Sequence, residues 1–200
     1  MYSKLPSWVL GFHGCNKDTY DNVFLNGQRL IPSTNTYDWL GNGIYFWENN
    51  YERALEWSES RFGDNAAVIG AIIDLGNCLN LSDSQFYSLL ESSYTALKIR
   101  LTAQGKAMPK NRGKKGPDIL LRDLDCSVIE QLHEDVQGYN GYTFDSVRGL
   151  FIEGEPVYPG SGLNNKTHIQ LCVVNPNCIK GYFKPLMPDI DYPVLNSHKR

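Results

Sequence analysis

Short runs of apolar residues, separated by turn residues, make up the first fifty residues of the chain. Asn26-Gly27 and Pro32–Asn35 punctuate these runs, which is the pattern of short strands and loops. The three runs are Trp8–His13, Phe24–Ile31 and Gly43–Trp47. A longer run rich in β-branched residues, Ala66–Leu75, predicts a buried strand. The last third of the chain returns to strand patterns at Ser146–Ile152, His168–Val174 and Gly181–Lys184.

Segments with helical periodicity lie between these strands. Glu48–Arg61 places its larger apolar residues roughly on one face, and Ser82–Gln85 matches a capping box that opens a second helix. A third helical pattern spans Asp118–Val136, after a loop rich in glycine, proline and lysine at Gly105–Pro117. We therefore expect one α+β domain over residues 1–200, with short, mostly antiparallel strands and a helical, basic-loop insertion near residues 82–136.

Composition and charge exclude several classes of protein. With 42% hydrophobic residues and a net charge of −3, the chain is typical of a globular protein rather than a general nucleic-acid coat protein. The five cysteines are scattered and form no C-x-x-C pair, which favours reduced thiols over a zinc site or disulfides. The apolar run Trp8–Phe12 is too short for a signal peptide, and no long apolar stretch follows. We expect a soluble cytoplasmic protein with no metal and no membrane partner.

Two segments near the N-terminus carry residues that suit a ligand site, and each has a structural alternative. In Gly11–Cys15, a histidine precedes a glycine that lets the backbone approach a ligand closely, although a lone histidine is more often structural. In Trp39–Phe46, glycines precede an aromatic strand in which Tyr45 could present its ring to a planar ligand. Taken alone, that second segment is more simply explained as an ordinary glycine-rich turn before a core strand.

A third segment, Lys166–Asn175, combines a polar and an apolar face. Strand alternation places His168, Gln170 and Cys172 on one side and apolar residues on the other. A polar face within a mostly apolar strand indicates a cleft. The alternative is an edge strand with one face in water.

In their order along the chain, these segments resemble the motifs of the ADP-ribosyltransferase superfamily. His13-Gly14 matches its strand-end "HG", and Gly41–Phe46 matches its "G-x-GIYF", followed by an alanine-bearing helix at Arg53–Leu55. Further similarities occur at Phe24–Leu30, Leu75–Asn77, Ser146–Gly149 and Gln170–Asn175, whereas Gln85–His133 is unmatched. The resemblance is to the branch of diphtheria toxin and the poly(ADP-ribose) polymerases, with its His–Tyr–Glu triad. It implies split antiparallel β-sheets with flanking helices.

The resemblance also implies a reaction and a role for each matched residue. NAD⁺ would be the co-substrate, and ADP-ribose would be transferred to an acceptor with release of nicotinamide. His13 would hydrogen-bond a ribose hydroxyl of the adenosine half, and the backbone of Gly14 would hold the nicotinamide carboxamide. Tyr45 would stack on the nicotinamide ring. Such a site must orient the ribose and stabilise the positive charge that develops on it.

Gln170 stands where the family has its catalytic glutamate. A glutamine amide can bind the ribose 2′-hydroxyl, but it supplies neither a negative charge nor a general base. We therefore expect mono-ADP-ribosylation rather than chain elongation. Glu153 or Glu155 could replace the missing carboxylate, or both could lie in a solvated turn. A third possibility is a domain that binds NAD⁺ or ADP-ribose without turning it over.

A second departure lies on the helix after Tyr45. Arg53 occupies the position at which the family often has a serine for the nicotinamide carboxamide. Either Arg53 binds phosphate or the helix has a different register. Trp47 and Trp57 could line the pocket or fill the core, and core filling is the simpler interpretation.

The acceptor is indicated only by a basic segment and by analogy. Lys106–Lys115 contains five basic residues that could guide a polyanion, and Arg148 and Lys166 could add to the same face. The motif set resembles compact toxins of bacterial toxin–antitoxin and phage-defence systems, one of which modifies adenine in single-stranded messenger RNA. This resemblance favours RNA over protein as acceptor and implies an antitoxin partner. An RNA 2′-phosphotransferase is a weaker alternative, because its basic active-site pattern is not recognisable here.

Overall fold

The computed structural model of the protein describes residues 8–113 and 121–186. Strands and helices alternate irregularly in this part of the chain, which confirms the predicted α+β class. In chain order the elements are β1 (Trp8–Asn16), α1 (Lys17–Phe24), β2 (Ile44–Glu48), α2 (Tyr51–Phe62), β3 (Ala66–Asp74), β4 (Cys78–Asn80), α3 (Tyr87–Ala103), α4 (Asp123–Asn140), β5 (Ser146–Phe151), β6 (His168–Val173) and β7 (Ile179–Phe183).

All seven strands join one mixed sheet in the order β4-β5-β6-β2-β1-β3-β7. The pairs are antiparallel except for β4 and β5, which run parallel, so the prediction of mostly antiparallel strands is confirmed. In the described part of the chain, no helix has the length and apolar character needed to cross a membrane.

The two halves of the sheet are joined weakly in the middle. β1 and β2 are in register only at Gly11 with Glu48 and at Phe12 with Trp47, whereas β1 pairs with β3 along its whole length. Beyond Phe12 the two strands therefore separate. The His13 imidazole spans the gap, because its Nδ1 lies 2.8 Å from the carbonyl oxygen of Tyr45.

Strand alternation sends the two faces of β2 and β6 into different surroundings. Ile44, Phe46 and Leu171 are buried in one core with residues of β3. Leu40 and Leu132 belong to a second core, in which α4 covers the opposite face of β5 and β6. The candidate ligand residues of β2 and β6 lie on this second face, toward the end where α4 no longer covers it.

One predicted strand is wrong. Phe24–Ile31 contains no strand, and the chain before it forms α1, which the apolar pattern did not indicate. Asn16 begins this helix by accepting a hydrogen bond from the Thr19 N–H at 2.9 Å. Val23 of α1 is fully buried, and Tyr20 and Phe24 pack partly buried against the same core. The apolar stripe of this eight-residue helix therefore spans a single turn, which is too short for a helical period to be recognised in the sequence.

The boundaries of the two middle helices also differ from prediction. The cap is Asp83 rather than Ser82: it accepts the Gln85 N–H at 3.0 Å and opens a short 3-10 turn before α3. α4 begins at Asp123, and the predicted start at residues 118–120 lies outside the described residues. Asn111, distant in sequence, accepts the N–H groups of Leu124 and Asp125 and so supplies caps that a local pattern cannot show.

Candidate functional site

A cavity of about 570 Å³ opens where β1 and β2 separate. Its walls come from the end of β1, the loop before β2, one face of α2 and the cavity face of β6. The lining residues are His13, Gly14, Ile31, Ser33, Asn35, Tyr37, Asp38, Trp39, Gly43, Tyr45, Trp47, Arg53, Trp57, Arg61, Leu121, Glu153, His168 and Gln170. The three separated sequence segments therefore meet at one cavity.

His13 presents a hydrogen-bond acceptor to this cavity. Its Nδ1 contacts the Tyr45 carbonyl oxygen, which can only accept, so Nδ1 carries the proton. Burial lowers the pKa of His13, although the bond to Tyr45 opposes the shift. At neutral pH the imidazole is therefore uncharged, and its Nε2 lone pair suits a hydroxyl donor.

Gly14 is required by the packing of α2 against β1. A Cβ at this position would stand 2.5 Å from the carbonyl oxygen of Ala54 and 3.1 Å from the Trp57 ring. The glycine thus brings the strand end and the helix together. The close approach that the structure shows is to this helix, and the predicted approach of the Gly14 backbone to a ligand stays a prediction.

Tyr45 uses its hydroxyl to hold the loop that precedes β2. The hydroxyl donates to the Gly41 carbonyl oxygen at 2.6 Å and accepts the Leu40 N–H at 2.9 Å. Burial raises the pKa of this phenol far above its ordinary value. Tyr45 therefore stays protonated and does not serve as a base, while its ring lines the cavity.

The same loop is anchored to α4 by a carboxylate. Glu130 accepts the backbone N–H of Asn42 and its side-chain amide, both at 2.7 Å. Because one carboxylate holds both groups, the glycine-rich turn has a fixed position relative to α4. Sequence reasoning had no means of finding this partner 88 residues away.

Gln170 faces the cavity from an interior strand. β6 lies between β5 and β2, so the edge-strand interpretation is wrong. Gln170 stands opposite Trp47 in the β2–β6 register, and its Oε1 is buried without a hydrogen-bond partner among the described residues. An unpartnered buried acceptor of this kind suits a donor group on a ligand.

Glu153 belongs to a charged group on the cavity wall. Its Oε2 lies 3.1 Å from the Arg53 guanidinium and 3.6 Å from Nδ1 of His168. Arg53 also pairs with Glu56, so its charge is shared between two carboxylates. Glu155, the other candidate base, is exposed and is not among the residues that line the cavity.

His168 is almost completely buried beside this group. Its Nδ1 donates to the Lys166 carbonyl oxygen at 2.8 Å, which leaves Nε2 as an acceptor with no partner in the protein. Burial lowers the pKa of His168, and the positive charge of Arg53 lowers it further, so the ring is neutral at pH 7. Strand alternation in the sequence predicts that His168 lies on the polar face of β6, but it assigns the residue no role in ligand binding.

The helix after Tyr45 presents a stripe of side chains to the cavity. Arg53, Trp57 and Arg61 recur at four-residue intervals and share one face of α2. The Arg61 guanidinium lies over the Trp57 ring, 5.4 Å from its centroid. Arg53 thus faces the cavity, and both Trp47 and Trp57 line it.

Buried polar atoms without partners concentrate at this cavity. Among the described residues, eight buried side-chain nitrogen or oxygen atoms have no hydrogen-bond partner in the protein, and five of them belong to lining residues. These five atoms are Asp38 Oδ2, Trp47 Nε1, Arg53 Nε, His168 Nε2 and Gln170 Oε1. Because native proteins pair nearly all such groups, the concentration indicates a binding site for a polar ligand.

Sequence reasoning missed Asp38 and Arg61. Asp38 follows the turn residues Pro32–Asn35, and an aspartate in such a setting is usually a local cap. Arg61 was included only as the end of a helix. The regular spacing from Arg53 through Trp57 was the available signal for Arg61, whereas nothing local distinguished Asp38.

The predicted basic face is largely neutralised. Arg148 forms a two-pronged ion pair with Glu48, and Lys166 pairs with Glu56 at 2.6 Å. In the basic segment, Arg112 pairs with Asp123, and residues 114 and 115 lie outside the described residues. Lys106 and Lys110 are exposed.

Comparison with known proteins gives one relevant similarity. No family model matches the chain. An uncharacterized protein of Methanocaldococcus jannaschii is 27% identical over 196 residues, covering 84% of this chain and 83% of that protein. The similarity extends over most of both chains.

Proposed function

We propose that this protein is an NAD⁺-dependent mono-ADP-ribosyltransferase. The observation that carries the proposal is the meeting of His13, Gly14, Tyr45 and Gln170 around one cavity whose buried polar atoms lack partners in the protein. These residues come from motifs up to 157 positions apart in the sequence. An accidental resemblance of separate motifs gives no reason for them to share a cavity.

The cavity suits the mixed chemistry of NAD⁺. The neutral His13 and the unpartnered Oε1 of Gln170 can accept hydrogen bonds from ribose hydroxyls. Arg53 and Arg61 provide positive charge for the pyrophosphate, and the Tyr45 ring offers a face to nicotinamide. A volume of about 570 Å³ is within the ordinary range for a small-molecule site.

The arrangement of the sheet supports an ADP-ribosyltransferase-like fold of two split sheets. β1 and β2 diverge after two residue pairs, and the candidate NAD⁺ site lies at the divergence. Separation of two central strands creates a crevice without disrupting the outer pairs. This is the property that a split sheet needs in order to hold an extended dinucleotide.

In the proposed reaction, the bond between the ribose C1′ and the nicotinamide nitrogen breaks, and the acceptor takes the ribosyl carbon. Tyr45 is protonated and Gln170 is uncharged, so neither removes a proton from the acceptor. Of the two glutamates that the sequence offers as the base, Glu153 and Glu155, only Glu153 is among the residues that line the cavity. Its pairing with Arg53 fixes its position on the cavity wall.

As acceptor we favour single-stranded RNA with adenine as the modified base. Exposed Lys106 and Lys110 lie in the segment before α4, and Arg112 of that segment bridges to Leu121, which lines the cavity. An RNA strand guided by these charges would pass close to the cavity mouth. The corresponding biological role is a cytoplasmic bacterial toxin or phage-defence effector, held silent by an antitoxin protein.

The test uses NAD⁺ labelled in its adenylate phosphate, incubated with purified protein and total cell extract. We expect label in a fraction that RNase degrades and protease does not. His13→Ala and Tyr45→Ala should lose the labelling, whereas Tyr139→Ala, which removes an exposed ring outside the cavity, should retain it. Normal labelling by either cavity variant would overturn the site assignment.

Two alternative functions predict different outcomes of the same experiment. Label that protease removes would identify a protein-directed ADP-ribosyltransferase. Binding of NAD⁺ without any labelled product would identify a non-catalytic module, an outcome that Gln170 makes worth testing. Failure to bind NAD⁺ or ADP-ribose would contradict the proposal altogether.

A further inference from the structure

Two carboxylates line the cavity, and they have different electrostatic surroundings. Glu153 is paired with Arg53 and lies close to His168. Asp38 forms no ion pair with any lysine, arginine or histidine in the part of the chain that the structure describes. Asp38 is therefore the cavity carboxylate whose charge no described residue compensates with an ion pair.

The Asp38 carboxyl group is held in place on one side only. Ser33 and Asn35 lie within hydrogen-bonding reach of it, whereas its Oδ2 is buried without a hydrogen-bond partner among the described residues. Burial raises the pKa of Asp38 against the effect of these hydrogen bonds. A buried, unpartnered carboxylate oxygen in a ligand cavity suits a positively charged or hydrogen-bond-donating group.

Asp38 also lies near the ring that the proposed function assigns to nicotinamide. Burial is the main cause of the raised pKa of Tyr45, and the negative charge on Asp38 adds to it, so the carboxylate lies close enough to act on the hydroxyl. The positive side chains, Arg53 and Arg61, come from α2 on another wall. Arg53 is already paired with Glu153 and Glu56, whereas Arg61 forms no ion pair among the described residues. The cavity thus has an acidic side at Asp38 and a basic side on α2, where Arg61 supplies the unpaired positive charge.

NAD⁺ has a matching separation of charge, because its pyrophosphate is anionic and its nicotinamide ring is cationic. Placing the pyrophosphate toward the arginines leaves the cationic ring toward Asp38 and Tyr45. The opposite orientation would set the pyrophosphate against an uncompensated carboxylate. Charge complementarity therefore selects one orientation of the dinucleotide.

We propose that Asp38 faces the nicotinamide–ribose half of NAD⁺ and supplies the negative charge that Gln170 cannot supply. This inference rests on the proposed function and adds a charge-recognising residue to it. NADH is identical to NAD⁺ as far as the ribose, but its dihydronicotinamide ring carries no positive charge. Asp38 consequently discriminates NAD⁺ from NADH.

The same charge assists bond cleavage. When the C1′–nitrogen bond breaks, both electrons stay with the ring nitrogen, nicotinamide leaves neutral, and the positive charge moves to the ribose. The nucleophilic atom of the acceptor then bonds to C1′, and its proton passes to Glu153 or to water. Asp38 forms no covalent bond and stabilises the cation before and during cleavage.

The test is calorimetric binding of NAD⁺ and of NADH to the wild-type protein and to Asp38→Asn, which keeps the shape of the side chain and removes its charge. We expect the wild type to prefer NAD⁺ by about tenfold, a size typical of one partly screened charge pair, and Asp38→Asn to bind both about equally. Asp38→Glu should retain part of the preference. Asp74→Asn is the matched control, because Asp74 stands opposite Trp8 in the β1–β3 register, at the end of β1 away from the cavity.

Each result has a distinct meaning. Absence of any preference in the wild type, or an unchanged preference in Asp38→Asn, would overturn the role of Asp38 while leaving NAD⁺ binding intact. Failure of the wild type to bind either dinucleotide would instead contradict the proposed function. If Asp38→Asn does not fold, Asp38→Ser provides a second uncharged variant for the same comparison.

Discussion

Individual residues at the cavity are constrained by packing as well as by ligand chemistry. Gly14 has no room for a Cβ because α2 lies against it, and a Cβ at Gly43 would stand 2.5 Å from the sulfur of Cys172. These two glycines carry the sequence motifs that first indicated a ligand site. Their immediate physical role is to bring α2 and β6 close to the strands that hold His13 and Tyr45.

The Gly14→Ala substitution should therefore destabilise the fold. The added methyl group must push α2 away from β1, and overpacking of this kind costs about 1–3 kcal/mol. Urea unfolding gives the free energy directly. Gly138→Ala is the control, because it lies exposed in α4 with open space around it and should gain up to about 1 kcal/mol. Equal stabilities of the two variants would refute this account of Gly14.

At the scale of elements, the loop before β2 is positioned by α4, most of which lies in the region that the motif resemblance does not cover. Glu130 of α4 holds Asn42, and Tyr45 holds Leu40 and Gly41 from the other side. The turn that carries the tyrosine motif is thus fixed at both flanks. α4 shapes the cavity in this way without lining it.

Removal of the Glu130 carboxylate should loosen this turn. In Glu130→Ala, the N–H and side-chain amide of Asn42 lose a charged acceptor, at a cost of about 2 kcal/mol in the free energy of unfolding. The affinity for NAD⁺ should fall as well. Glu134→Ala on the same helix removes only a long, exposed contact to Arg100 and should change stability by less than about 0.5 kcal/mol. Similar losses in both variants would contradict a specific role for Glu130.

At the scale of the whole molecule, stability should depend on pH through buried histidines. Burial lowers the pKa of His13, His133 and His168 in the folded protein. In the unfolded chain the same histidines titrate near pH 6.5. Below that pH the unfolded state binds more protons than the folded state. The free energy of unfolding must therefore fall as the pH falls from about 7.5 to about 5.5.

His133 allows this dependence to be tested away from the cavity. Its Nε2 is buried without a partner in the protein, and the residue does not line the cavity. His133→Gln should lose less stability than the wild type between about pH 7.5 and pH 5.5, by roughly 1 kcal/mol. Urea unfolding at the two pH values measures the difference. An equal or larger loss in the variant would show that His133 is not held neutral in the fold.

The sequence determined the fold class, most strands and the three segments that meet at the cavity. Strand alternation alone predicted that His168 and Gln170 share a face, because side chains alternate strictly along a strand. Local patterns failed for α1, whose apolar stripe of Tyr20, Val23 and Phe24 is one turn long and shows no repeat. They also failed for the start of α3, where Asp83 and not Ser82 forms the cap. Local patterns are reliable only where burial imposes a period.

The tertiary structure decided which charges face each other. Pairing of Arg53 with Glu153 joins residues 100 positions apart, and Glu130 reaches Asn42 across 88. The divergence of β1 from β2 at Phe12, which makes the cavity, likewise depends on the register of the whole sheet. Local propensity acts over a few residues, whereas electrostatic pairing and strand register depend on distances that exist only after the chain has folded.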